Sequence, residues 1–155
     1  MKKIIEKYNK AGKWEVVVPF EKEGEEIIWM GIIDAREPGE YELRVVADHR
    51  VADTKGRITV KAVAGKDTHV KVFGMIKIRK EAQNTDDYLE LRVLTLDKSA
   101  RAVAEPELEI EANNVRASHG ASVGQVDKEQ IRYMMSRGID KKEAVNQVVD
   151  GYLGV

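Results

Sequence analysis

The stretch "RITVKAVAGKDTHVKVFGMIKIRKEAQNTDDYLELRVLTL" spans residues 57 to 96, and its reading decides the fold. In its three apolar runs, "RITVKAV" (57 to 63), "HVKVFGMIKI" (69 to 78) and "YLELRVLTL" (88 to 96), apolar and β-branched residues alternate with polar ones. Neighbouring side chains on a strand point to opposite faces, so this two-residue period marks half-buried strands. Turn formers separate the runs at Gly65 to Asp67 and at Asn84 to Asp87. Upstream, Pro38-Gly39 and Asp53 to Gly56 bound a further run, "YELRVV" (41 to 46).

The runs recur at about 18 residues: Ile58 and Val60 are followed by Ile76 and Ile78, then by Leu94 and Leu96, and Ile27 and Ile28 stand in the same relation to Val45 and Val46. A meander or sandwich of hairpins with strands about nine residues apart produces that spacing. So does a parallel β-helix whose coils of about 18 residues stack like residues on like. Periodicity does not separate the two.

The alternation ends near residue 126. Beyond it, "VDKEQIRYMMSRGIDKKEAVNQVVDGYLGV" contains two helix starts of one construction, Asp127 with Gln130 and Asp140 with Glu143, each an N-cap with a capping-box partner three residues on. The first helix presents Ile131, Met134 and Met135 and stops at Gly138, with Ile139 as the hydrophobic contact across the stop. The second presents Ala144, Val145, Val148 and Val149, continued by Tyr152 and Leu153. Two units follow: a β core over 1–126 and a C-terminal helical segment over 127–155. The helical stripes either cap the β region or remain available to a partner.

Composition bounds the function. The 155 residues suffice for one core, and 43% hydrophobic with 34% charged residues is the balance of a folded globular chain. With 26 basic and 27 acidic side chains, no global field recommends nucleic acid or an anionic membrane. No apolar run approaches the roughly 20 residues of a membrane helix, and "MKKIIEKYNK" lacks the apolar centre of a signal peptide, so a cytoplasmic location is expected. The absence of cysteine excludes disulfides, cysteine zinc sites, a cysteine nucleophile and a thiolate-held cluster supplied by this chain alone.

The three histidines are the remaining candidates. His49 in "ADHRVAD" reads as part of a polar turn and His69 in "KDTHVKV" as a strand start, both solvated or locally bonded. Asp86 and Asp87 read as turn formers. His119, in "SHGASVG", lies at the end of a strand. Residues Gly120 to Gly124 lack the Gly-Lys-Ser ending of a phosphate loop and read as a tight turn. Ser118 and His119 are not a nucleophile and its base, because adjacent strand residues face opposite ways.

Several ordered elements carry a resemblance. They are Phe73-Gly74, Thr85-Asp86 after Ala82, "LTL" at 94 to 96, Ala100 and Ala102, "PELEIEANNV" at 106 to 115, "SHGASVGQVD" at 118 to 127, and "YMMSRGI" at 133 to 139 with Glu143-Ala144 beyond. From about residue 68 to 155 the chain resembles the C-terminal half of the SufB/SufD family, scaffold proteins of iron–sulfur cluster assembly, and is SufD-like in a short form.

The resemblance implies a right-handed parallel β-helix followed by a C-terminal helical hairpin. It also implies two partners. A SufC-type ATPase is expected on the helical end, at Ile131, Met134, Met135, Val145, Val148, Val149 and Tyr152. A SufB/SufD-type chain, or a second copy in a homodimer, is expected at Leu108, Ile110, Val115 and His119. His119 matches the family's interface histidine, which is either a structural residue or a metal ligand completed by the partner, with Glu109 and Glu111 as nearby oxygens. SufD-type members often have cysteine two residues before it, where this chain has Ala117, and SufB-type members have glutamate directly after it, where this chain has Gly120. The functional expectation is a non-enzymatic scaffold or accessory subunit that binds no cofactor alone, with any iron–sulfur cluster shared with a partner chain. The alternatives are an iron or cluster carrier using His119 across a homodimer, and a structural β-helix protein without cluster chemistry.

Overall fold

Alternation builds nine strands, and the two capped segments build two helices, in a computed structural model that describes residues 1–154. The strands are β1 (Lys2–Tyr8), β2 (Gly12–Phe20), β3 (Glu26–Ala35), β4 (Gly39–His49), β5 (Lys55–Ala64), β6 (Thr68–Ile78), β7 (Thr85–Thr95), β8 (Arg101–Ile110) and β9 (Val115–Gln125). The helices are α1 (Lys128–Ser136) and α2 (Lys141–Leu153). Val155, the last residue of the expected helical segment, lies outside the described residues.

Consecutive strands do not pair with each other. The odd strands form one sheet in the order β1-β3-β5-β7-β9, the even strands a second in the order β2-β4-β6-β8, and every ladder is parallel. The chain therefore winds as a β-solenoid, one strand in each sheet per circuit, which is the parallel β-helix that the resemblance implies.

The coil is longer than the expected 18 residues. Stacked strands lie 25 residues apart at the N-terminal end, from Ile4 to Trp29, and 32 at the other, from Ile78 to Ile110. The spacing of about 18 instead links buried residues of consecutive strands in opposite sheets: Ile58 and Val60 on β5, Ile76 and Ile78 on β6. An even separation between two half-buried strands keeps both sets inward, so the pattern survives without any stacking. The next step fails. Leu89, Leu91 and Val93 are the inward apolar residues of β7, whereas Leu94 turns outward to the helices.

The true repeat is marked by corners. Gly24, Asp53 and Asn84 all take positive φ (76°, 59° and 64°), and the Asn84 amide donates to Asp53 Oδ1 at 2.7 Å. Only glycine, asparagine and aspartate enter this region readily, and one such residue stands at each of the corners β2–β3, β4–β5 and β6–β7.

Inward residues stack in columns. Ile4, Trp29, Ile58 and Leu89 form one, and Tyr41 and Val70 belong to another. A second, smaller cluster lies outside the coil, where Val149 and Leu153 of α2 cover Ile32 of β3 and Val63 of β5. Arg36, at the end of β3, reinforces that contact by bridging Asp34 (Nε to Oδ1, 2.9 Å), Asn146 (3.2 Å) and Asp150 (3.5 Å). Asp127 accepts from the amides of Glu129 and Gln130, and Asp140 from that of Glu143, so both expected N-caps form. Gly138, at φ 92°, ends α1 while Ile139 N–H donates to Met134 O at 3.2 Å.

Candidate functional site

Strands β8 and β9 are the last in their sheets, so each presents an unpaired edge. Their inward residues continue the core columns but have no coil above them. His119 is the top of the column Ile4, Trp29, Ile58, Leu89. Val115 stands on Thr85, Leu108 on Ile76 and Ile110 on Ile78. The structure thus gathers all four at one place, the uncovered end of the solenoid. Their exposure comes from position in the stack. Leu108 and Ile110 are 39% and 41% exposed, while Ile76 and Ile78 directly beneath are fully buried.

The SHGASVG segment is not a tight turn. It lies inside β9, which runs to Gln125 paired with β7 throughout. Small residues read as a turn signal in isolation, but here they allow close packing: a side chain at Gly120 would meet the Tyr88 hydroxyl at 2.8 Å.

The edges of the two sheets differ. Strand β9 contains no proline and one charged residue, Arg116, whereas β8 carries Pro106 and the exposed row Glu105, Glu107 and Glu109. Glu109 lies 3.9 Å from Lys77 on the outer face, away from the inward column of His119. Among the described residues, no three His, Asp or Glu side chains converge as a ligand set for a metal ion. Ala117, on the inward column above Asp87, offers only a methyl group. The donor set at this end is one imidazole, with no thiolate, and does not fit an iron–sulfur cluster held by this chain alone.

His49 and Asp87 depart from the sequence reading. Neither sits in a solvated turn: His49 ends β4, Asp87 lies within β7, and both side chains are wholly out of solvent. Nε2 of His49 is 2.7 Å from Asp87 Oδ2, Nδ1 is 2.8 Å from Thr54 Oγ1, and Thr54 Oγ1 is 3.2 Å from Thr85 Oγ1. Phe20 stacks on the imidazole at 3.9 Å. Gly56, paired with Asp87, makes this possible, since a Cβ there would lie 2.5 Å from the carboxylate. The cluster is closed to any substrate and serves the core. Its signal was the separation of Gly56 and Asp87, one coil length.

At the helical end the stripes divide. Ile131 and Val149 are buried, and Val145 and Tyr152 pack on the outer cluster with Met30 and Leu94. Burial raises the Tyr152 hydroxyl to about 12. Met134 and Val148 are half-buried, while Met135 remains 44% exposed beside a groove of about 460 Å³ floored by Leu96, Ile131 and Val145. Tyr133, off the apolar stripe and therefore missed by periodicity, is 64% exposed. No helix among the described residues is long and apolar enough to cross a membrane.

Comparison with known proteins places this architecture. Residues 10–152 match the family model described as SUF system FeS cluster assembly, SufBD core domain. An iron–sulfur cluster assembly SufBD family protein of Mycobacterium tuberculosis is 35% identical over 133 residues, covering 81% of this chain and 34% of the relative. SufD of Escherichia coli is 32% identical over 108 residues (70% and 26%), and SufD of Bacillus subtilis 45% over 89 residues (57% and 20%). The chain spans about a third or less of these relatives. The match extends over the coils and both helices, and on it the chain belongs to the SufB/SufD family through its SufBD core domain.

Proposed function

We propose that this chain is a scaffold or accessory subunit of iron–sulfur cluster assembly, non-enzymatic itself, which joins a SufC-type ATPase at its helical end to a second scaffold chain at the β8–β9 end. The observation that carries the proposal is the pair of separate unfinished surfaces. One is an open solenoid end with unpaired strand edges and uncovered apolar residues. The other is the helical end, with a groove beside Met135 and an exposed Tyr133. Edges and uncovered apolar residues are what a protein partner completes.

Any cluster is cargo on this reading. His119 stands at the uncovered end, and the thiolates come from the second chain. The buried His49 cluster contributes rigidity to the coils that carry that end.

The ATPase arm is tested by co-purification of a SufC-type ATPase with the whole chain and with a Tyr133→Ala, Met135→Glu variant. Both positions are exposed, so the variant keeps its fold. Capture by the parent and loss in the variant is the expected result, and failure of the parent chain to bind removes this arm.

A further inference from the structure

The helical end carries its positive charge on one side. The groove of about 460 Å³ beside Met135 has an apolar floor of Leu96, Ile131 and Val145 and a rim of Lys128, Arg132 and Lys141, with no acid among the residues that line it. The neighbouring trough of about 410 Å³, over Leu94 and Val148, is edged by Gln125, Gln130, Gln147 and Asp127 and has no cation. A chain of net charge −1 thus gathers cations around one apolar floor.

The acids of the same helices are already committed. Asp127 and Asp140 cap α1 and α2, Asp150 reaches Arg36 at 3.5 Å, Glu143 accepts from Gln147 at 3.0 Å, and Glu129 holds Arg132 at 2.6 Å. Asp97 is bonded to the Ser99 amide and hydroxyl at 2.9 and 2.7 Å, which, with Lys66 and Lys141 further off, holds its carboxyl below the ordinary value. Lys128 and Lys141 are exposed and form no ion pair among the described residues. Unpaired ammonium groups around an apolar floor are complemented by a ligand that is acidic at its edges and apolar at its centre. Met135, a flexible thioether at the edge of the groove, adapts to such an anchor.

We infer that this groove receives a segment of the ATPase that presents acidic side chains on either side of an apolar anchor, with Lys128 and Lys141 as the principal cations and Arg132, shared with Glu129, as a third. This rests on the reading of the helical end as the ATPase surface and adds the chemistry of what that surface recognises. Leu96, Ile131 and Val145 come in turn from the β7–β8 connection, α1 and α2, so one occupant touches all three.

The test is the affinity of a purified SufC-type ATPase for the immobilised whole chain, followed by surface plasmon resonance from low to high salt. The parent should bind, and bind more weakly as salt rises. A Lys128→Glu, Lys141→Glu variant should bind about tenfold more weakly at low salt, chiefly through a slower on-rate, and lose most of the salt dependence. Both lysines are the first residues of their helices, where glutamate suits the helix dipole, so the fold is kept, and circular dichroism checks it. A Lys22→Glu, Lys80→Glu variant, altered in the β2–β3 and β6–β7 corners, changes the net charge equally and should bind as the parent does. A groove variant that binds like the parent, or a corner variant that weakens as much, overturns the inference and leaves the ATPase reading standing. No binding by the parent removes that reading and the inference with it. Self-association of the parent in sedimentation velocity that the groove variant abolishes also overturns the inference, since the occupant is then a second copy.

Discussion

His49 Nε2 lies 2.7 Å from Asp87 Oδ2 inside the coil, and neither side chain reaches solvent. The other ring nitrogen, Nδ1, lies 2.8 Å from Thr54 Oγ1, so both nitrogens of the imidazole have a partner inside the core. The pair ties β4 to β7 across the two sheets, with Asp87 directly beneath Ala117 of the open end and His49 two strands beneath Ile110.

Breaking that pair strands a buried group. His49→Ala leaves Asp87 unpaired and is expected to cost roughly 3–5 kcal/mol in urea denaturation. The double change His49→Leu, Asp87→Leu removes both polar groups and should recover much of the loss. A double variant less stable than both single variants would show that the pair does not act as a unit.

Gly56 is the space that the Asp87 carboxylate occupies. Gly56→Ala forces the carboxylate off His49 and should destabilise by about 1–3 kcal/mol. The same change in an Asp87→Ala background should cost clearly less. Equal costs in the two backgrounds would mean that the glycine matters for another reason.

Asp48 sits between Arg79 and Arg50, with Arg79 Nη2 and Arg50 Nε at 2.9 and 2.8 Å from Oδ2. Bonding to Arg79 first, and then to Arg50, holds its carboxyl below the ordinary value of 3.8 despite burial. A depressed carboxyl contributes stability that is present above that ordinary value and is lost as pH falls through the lower folded one. Asp48→Asn should therefore be less stable than the parent at pH 7, with the difference shrinking in acid. Thermal melts across that range check it, and a constant difference would rule the linkage out.

Leu153 and Val149 hold α2 on the odd-strand sheet. Leu153→Ala should weaken that docking by roughly 2–5 kcal/mol. Hydrogen exchange should quicken in α2 while amides of β4 and β6, in the opposite sheet, stay protected. Equal loosening of every strand would show that the helix is not a separable unit.

Anaerobic reconstitution of the chain alone with iron and sulfide should give no charge-transfer absorption beyond that of a His119→Ala control. A His119-dependent band would establish a carrier site that needs no thiolate.

Much of the architecture was legible in residue order. Period-two alternation from residues 41 to 96 marked strands, and Asp127, Asp140 and Gly138 marked helix ends where the chain places them. The coil length was not, because an 18-residue spacing between facing strands mimics a stack. It was present in Gly24, Asp53 and Asn84, but as a backbone conformation that residue identity only permits.

The sequence by itself determined the parallel-stranded class, through the family resemblance, and the absence of thiolates, because both follow from residue type and order. Tertiary structure alone decided which polar residues face inward. Asp87 and His49 read as turn residues, and Gly120 as a loop glycine, until strand register set each beside a neighbour some thirty residues away. Pairing over that distance depends on how many residues each corner consumes, and one residue more or less turns every following side chain to the other face. For the same reason His119 is exposed, because it crowns a column on which no further coil stands.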